Sequence, residues 1–182
     1  MTHTSYTWPL DQPAPNYERI FLDDHTYGQA IQAFPIICSD IVPLMRAPNR
    51  LVLAQRNNKP MQGWWHFGGR WMMGEDGPTA ACRHFKRDTG TILSTDRLID
   101  LGIRNYLWHD RQQAPQDTPC QSVAFTYGVE MSDNELAHMA AKINLPEYVP
   151  GTLCTFTWER LQEHDIHPVL RDLYQAAFSE RT

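Results

Sequence analysis

The sequence predicts a layered α/β or α+β sandwich. Strand-like runs interleave with a few helical segments along the chain, an order that favours layered sheet and helix over a bundle. Hydrophobic residues make up 42% of the 182 positions and aromatic residues 11%, ample for one buried core. One globular domain is expected at 20–182, preceded by an extended arm at 1–19.

The arm carries Pro9, Pro13 and Pro15 among polar residues. Proline fixes φ and lacks a donor, which disfavours both helix and central strand. Over 23–34, Tyr27, Ala30, Ile31 and Phe34 recur three and four residues apart, and Asp23 and Asp24 suit a helix N-terminus, so a short amphipathic helix is expected before Pro35. Residues 36–45 and 50–55 read as a hairpin turning at Ala47-Pro48-Asn49. The stretch 57–77, rich in Gly and Trp, reads as a loop. A helix is predicted over 78–88, with Pro78 near its start and Gly90 past its end. Strands are expected over 98–108 and 122–129, joined by a polar loop at 109–119. A helix follows over 132–143, where Ser132 and Glu135 spell a capping box. Residues 155–158 alternate like a strand, and 167–178 suit a closing helix.

The formal net charge of −5 excludes a global positive field, so no nucleic-acid partner is expected and any basic site must be local. Cys38, Cys82, Cys120 and Cys154 are too scattered for a zinc or redox pair and read as reduced, mostly buried thiols. No apolar run is long enough to cross a bilayer, and Met1-Thr-His-Thr-Ser lacks the features of a signal peptide. A cytoplasmic protein with no membrane partner is expected.

Residues 68–90 read GGRWMMGEDGPTAACRHFKRDTG. Gly69, Glu75, Arg83 and Gly90 stand at the spacing of the Nudix box, placed here at 69–91, and the segment resembles the Nudix family. The resemblance implies an α/β fold, a Nudix-type α/β/α sandwich with helices on both sides of a mixed β-sheet, with the box forming loop, helix and loop. In that family, glutamates on the helix hold magnesium against a diphosphate, because magnesium takes hard oxygen ligands and neutralises phosphate charge. Where the family has Arg-Glu, an apolar residue, any residue and Glu-Glu, this chain has Arg83-His84-Phe85-Lys86-Arg87-Asp88. One carboxylate remains, shortened to Asp88. His84 and Arg87 make the site more positive and weaken its hold on magnesium.

One branch of the family, the GDP-mannose mannosyl hydrolases, also keeps mainly the last carboxylate. The stretch Gln55-Arg56-Asn57-Asn58-Lys59-Pro60-Met61-Gln62-Gly63-Trp64-Trp65, followed by Gly68-Gly69-Arg70, is similar to theirs, as is Asp40 after the helix ending at Pro35. The resemblance spans about residues 20–161. It implies that Asp88 and the Gly68 carbonyl bind Mg2+, or Mn2+ in its place. Arg56, Arg70 and Arg83 would contact the diphosphate or support the site, and Asp40 would recognise nucleotide or sugar. That branch displaces the nucleoside diphosphate from the sugar's anomeric carbon, with a late Gln-His pair as base. The corresponding stretch here, Leu145-Pro146-Glu147-Tyr148-Val149-Pro150-Gly151, has no histidine.

The residues themselves leave alternatives open. Glu75 suits bonds to backbone donors in the loop and at the helix start. Asp88 in a last helical turn opposes the helix dipole and asks for a cation, either a metal or Arg87. His84, four residues before Asp88 on the same face, is a candidate base, a ligand for a softer metal such as manganese or zinc, or a packing residue. Arg87 is a bidentate phosphate holder standing in for lost metal charge, or a solvated helix arginine. Arg56, Asn58, Lys59, Arg70 and Arg83 concentrate donors as an anion pocket needs. Trp64, Trp65 and Trp71 offer faces for a base or sugar, with at least one expected in the core. His109, Asp110 and Arg111 lie in a loop placed to close over the site. The expected activity is hydrolysis of a small nucleoside diphosphate compound, with a nucleotide sugar preferred. Catalytic roles would fall to Arg70, Arg83, His84 and Asp88, binding to Asp40, Arg56, Lys59, Arg70 and Arg87, metal to Gly68 and Asp88, and box structure to Gly69, Glu75 and Gly90. The alternative is a nucleotide-binding or regulatory module without catalysis. The arm and first helix suggest exchange between subunits in a homodimer.

Overall fold

The computed structural model describes residues 4–7, 13, 15–143, 146–163 and 165–179. Asp23 accepts from Thr26 N at 2.9 Å and Thr26 Oγ1 at 2.7 Å, capping the first helix, α1 (Asp24–Ala33). Phe34, expected on its apolar face, lies beyond the helix and is 72% exposed, because Pro35 turns the chain straight into the sheet. The hairpin forms as read: β1 (Ile36–Arg46) and β2 (Asn49–Arg56) pair antiparallel, with Leu44 opposite Leu51 and Arg46 opposite Asn49.

The stretch expected to be a loop carries two short strands. These are β3 (Gly63–Trp65), paired to β2, and β4 (Phe67–Arg70), which sets Gly68 opposite Asp40 and Arg70 opposite Cys38 on β1. Three- and four-residue strands rich in glycine show no period of their own; partners distant in sequence impose their pairing. The box helix, α2 (Gly77–Thr89), is capped by Asp76, whose carboxylate accepts from Thr79 N at 2.8 Å. Gly90 ends it in the left-handed region at φ 69°, where a side chain would be strained.

A single 3-10 turn (Thr95–Arg97) leads into β5 (Ile99–Trp108), which pairs antiparallel with β6 (Cys120–Glu130) around a bulge between Asp100 and Gly102. β6 runs parallel to β1, from Ile36 opposite Ser122 to Leu44 opposite Glu130, which makes the sheet mixed as expected. The capping box of Ser132 and Glu135 opens α3 (Asp133–Lys142). β7 (Cys154–Phe156) joins β2, and Trp158, expected at the end of a strand, instead begins α4 (Trp158–Glu163). There Thr157 Oγ1 accepts from Arg160 N at 3.4 Å and redirects the chain. The closing helix, α5 (Val169–Phe178), starts two residues later than read, with His167 Nδ1 accepting from Val169 N at 3.2 Å.

The sheet has seven strands in the order β3-β2-β1-β6-β5, with β4 on β1 and β7 on β2. Val42, Leu44, Leu51 and Leu53 meet Leu161, Leu170 and Leu173 of α4 and α5 on one face, while Ile41, Val52 and Phe67 meet Ala81 and Phe85 of α2 and Met139 of α3 on the other. Each such aliphatic side chain contributes roughly 1.5–3 kcal/mol by burial. β1, sandwiched between both layers, is buried from Ser39 to Met45 and reads as a run rather than an alternation.

The described part of the arm forms neither helix nor strand; Tyr17 covers Gly74, and Arg19 comes within 3.8 Å of Glu75. Residues 1–3, 8–12 and 14, Pro9 among them, lie outside the described residues. All four cysteines are free and half-buried rather than mostly buried. Among the described residues no helix is long and apolar enough to cross a membrane.

Candidate functional site

The box builds a frame before it builds a site. Arg83 Nε and Nη2 donate to the two oxygens of Glu75 at 2.5 and 2.7 Å, and Nη2 also donates to the Arg70 carbonyl at 3.0 Å. Met72 N donates to Glu75 Oε2 at 2.8 Å. Burial works against the Glu75 carboxylate, but these bonds prevail and hold its pKa below the ordinary value. His84 is buried, and its Nε2–H donates to the Arg70 carbonyl at 2.8 Å; burial pulls the imidazole down to about 4, so it is neutral. Its ring also lies where a Cβ on Gly69 would sit, 2.6 Å from Cε1. Glu75 and Gly69, expected as box structure, both lie in this frame. Arg83 and His84, expected among the catalytic groups, line the cavity beside this frame, while Arg83 Nε and Nη2 and His84 Nε2 bond the frame and fasten α2 to the end of β4.

Beside this frame opens a cavity of about 520 Å³, lined by Asp40, Arg56, Lys59, His66, Gly68, Arg70, Arg87, Tyr106, Trp108 and Glu147. The structure therefore brings together Asp40 and every basic residue expected to bind substrate. Arg56 approaches Glu147 Oε2 at 3.5 Å, and Lys59 Nζ lies 3.0 Å from Asp110. The Arg70 guanidinium stands 4.3 Å from the centre of the Tyr27 ring, in cation–π contact.

At the inner end of the cavity, Asp40 is 8% exposed and its Oδ2 lies 3.8 Å from Nε2 of the fully buried His66. Burial pushes the Asp40 carboxyl up to about 7, against the pull of Arg56 and Arg104, and pushes His66 down to about 3. Both ring nitrogens of His66 and the hydroxyl of Tyr106 are buried without a hydrogen-bond partner among the described residues. Such groups are costly unless a water or a ligand group satisfies them.

His66, Tyr106, Glu147 and Tyr148 escaped the sequence reading. Tyr148 is buried and donates to the His66 carbonyl at 3.2 Å, and the Glu147 carboxylate accepts from Asn58 Nδ2 at 3.1 Å. The signal for His66 was a polar residue alternating within an otherwise apolar Trp65-His66-Phe67 run; the other three come from segments distant in sequence.

The tryptophans serve packing. Trp64 meets Phe156 edge-on at 4.9 Å, and Trp71 bonds Ser39 Oγ at 2.6 Å beside Phe125. Only Trp65 of the three reaches the cavity, from a cluster with Tyr106 and Trp108. Arg111, expected in a closing loop, is 1% exposed and donates to the carbonyls of Gln113, Pro115, Ala114 and Gly28, knitting that loop to α1 above the cavity.

The donor set does not fit the expected divalent ion. Arg87 Nε donates to Asp88 Oδ1 at 2.6 Å and its Nη2 to the Gly68 carbonyl at 3.3 Å, so one guanidinium engages both residues assigned to metal. Asp88 is fully buried, and burial raises its carboxyl to about 6 despite Arg87. Among the described residues no group of three or more His, Cys, Asp and Glu side chains is placed to hold a metal ion.

No protein-family model matches the chain, and no curated protein matches it. Solved structures do. A MutT Nudix hydrolase from Burkholderia pseudomallei is 19% identical, with 78% of this chain and 98% of that one covered at a TM-score of 0.57. The Nudix domain of Shewanella oneidensis NrtR, in complex with ADP ribose, is 15% identical over 87% and 100% of the two chains at 0.52. A C. elegans Ap4A hydrolase binary complex is 14% identical over 78% and 94% at 0.52. The shared property at these identities is the fold, the mixed α/β sandwich of Nudix proteins.

Proposed function

We propose that this chain is a Nudix-type hydrolase that takes a nucleoside diphosphate linked to another group, with a nucleotide sugar preferred. The observation that carries the reading is the cavity itself, where Arg56, Lys59, Arg70 and Arg87 line one space with the buried Asp40. Guanidinium and ammonium groups converging in a chain of net charge −5 suit an anionic group such as a diphosphate. The ADP ribose in the NrtR complex lends support, since that ligand is a diphosphate joining a nucleoside to a sugar.

In this reading the diphosphate lies against the basic residues, and Asp40 accepts from hydroxyl or amino hydrogens of the group beyond it. Water attacks the anomeric carbon and gives up a proton to solvent, the bond from carbon to the diphosphate oxygen breaks, and the nucleoside diphosphate leaves with the electron pair. The arginines stabilise the charge that develops on it. The likeness to the GDP-mannose branch supports cleavage at carbon, and the fold's other members leave cleavage at phosphorus as the competing outcome.

A second reading, a binding module without turnover, is favoured by one observation: the sole carboxylate left in the box helix, Asp88, is already engaged by Arg87. Incubation with a panel of nucleotide sugars, dinucleoside polyphosphates and ADP ribose, with products separated by chromatography, decides among the three. Free sugar plus nucleoside diphosphate establishes the first reading, and sugar phosphate plus nucleoside monophosphate moves cleavage to phosphorus. Thermal stabilisation by a compound that is never consumed establishes the module.

A further inference from the structure

We propose that the Arg87 guanidinium is the resident cation of this site and holds the diphosphate without a divalent metal. The inference rests on the reading that a nucleoside diphosphate compound occupies the cavity. It starts from a placement: Arg87 bridges Asp88 Oδ1 on α2 and the Gly68 carbonyl on β4, at 2.6 and 3.3 Å. Those two residues are where the resemblance puts a magnesium ion, and each now accepts from the same planar cation. Residue 87 stands at a box position that the family fills with glutamate, so the substitution replaces a ligand for a cation by a cation.

Chemistry on each side of Arg87 agrees with this role. Asp88 is a carboxylate in the last turn of a helix, against the dipole, and fully buried, so it needs a positive partner at short range; Arg87 is that partner. The Arg87 side chain keeps 41% of its surface exposed and lines the cavity, and its Nη1 makes no hydrogen bond to the described residues. A guanidinium held by its Nε and one Nη2 proton presents its remaining N–H groups as a preset fork for phosphate oxygens. Arg56 lines the same cavity, paired with Glu147, and the charges of both act on Asp88. A divalent ion approaching Asp88 meets the Arg87 charge at contact, with Arg56 and Glu147 opposing each other beside it, whereas a diphosphate is attracted by Arg87.

The test is calorimetric titration of the full chain with GDP, ADP and UDP in turn, first in EDTA and then with excess magnesium or manganese. Manganese alone is titrated alongside. For the wild type, we expect at least one diphosphate to bind with a Kd that changes less than about threefold between EDTA and metal, and manganese alone to bind weakly. Arg87→Met should weaken that diphosphate by about tenfold or more in EDTA, the loss of charge-assisted bonds. Arg87→Glu, which returns the family's carboxylate, should lose binding in EDTA, regain it with metal, and take up manganese alone.

Wild-type binding that collapses in EDTA, or an Arg87→Met protein that binds as well as the wild type, overturns the role of Arg87 while leaving the diphosphate site standing. Absence of binding for all three diphosphates in both conditions overturns the site and this proposal together. If Arg87→Glu fails to fold, the wild-type comparison and Arg87→Met still decide.

Discussion

Arg111 Nη1 donates to the carbonyl of Gly28 at 3.0 Å, joining the loop after β5 to α1 across the mouth of the cavity. The contact depends on the absence of a side chain at position 28, where a Cβ would stand 2.7 Å from the Ala114 carbonyl oxygen. Gly→Ala inside a helix ordinarily stabilises by roughly 1 kcal/mol. Here the sign should reverse, because backbone on the facing loop cannot yield without breaking the Arg111 bonds. Gly28→Ala is expected to lower the thermal midpoint and to weaken ligand binding, and a variant more stable than the wild type would show that the loop does not pack on α1 as described.

The Glu75–Arg83 pair should behave as a structural lock. Glu75 is 7% exposed at its side chain and receives bonds from Arg83 and Met72. Arg83→Met leaves this carboxylate buried with one donor, which costs on the order of 2–4 kcal/mol. Since its folded pKa is depressed, the pair's contribution is present above the unfolded pKa and lost as pH falls through the folded one. Denaturant unfolding at neutral pH should therefore show a wide gap between Arg83→Met and wild type that narrows in acid. An equal gap at every pH would exclude this origin.

Gly69 and His84 are coupled by contact rather than by chemistry. A Cβ at position 69 would lie 2.6 Å from the imidazole Cε1, and the ring, buried and bonded to the Arg70 carbonyl, cannot shift without straining that bond. Gly69→Ala should destabilise clearly, and adding His84→Ser should recover part of the loss, giving a coupling of about 1 kcal/mol or more in a double-mutant cycle. Strictly additive effects would mean that His84 is held less firmly than its packing implies.

How far the sequence carried follows from these cases. The spacing of Gly69, Glu75, Arg83 and Gly90 was legible because loop-helix-loop geometry is local, as were the caps at Asp23 and Ser132. β3 and β4 were not, since their pairing is imposed by β2 and β1. For Arg83 and His84, spacing shows which residues share a helix face but not which backbone carbonyl lies opposite, so it leaves chemistry and support of the site both open. The departure at Arg87 is visible as a changed letter, which leaves phosphate holder and solvated arginine both open. Its contact with the Gly68 carbonyl, nineteen positions away, is not legible in the sequence.

Asp40 supplies the sharpest prediction on pH. Its carboxyl is raised by burial from 3.8 to about 7 in the folded chain. A group whose folded pKa lies above its unfolded value favours the fold fully below the unfolded pKa, and that contribution disappears as pH rises through the folded value. In wild type, ionising this carboxyl between about pH 4 and 7 should cost on the order of 2–4 kcal/mol of stability. Asp40→Asn keeps the shape, never ionises, and should unfold at a higher temperature than wild type near pH 8, with the gap closing toward pH 4. His66, lowered to about 3, works the other way: its neutral ring favours the fold above its unfolded pKa, and that contribution fades as pH falls. Both proteins retain His66, so the difference between them isolates Asp40 to the extent that the 3.8 Å approach does not couple the two. The same variant should bind a diphosphate compound less well if Asp40 accepts from the ligand. A gain in stability near pH 8 with loss of binding is the pattern of a site residue kept at the expense of the fold. A pH-independent gap would place the Asp40 carboxylate in water rather than at the inner end of the cavity.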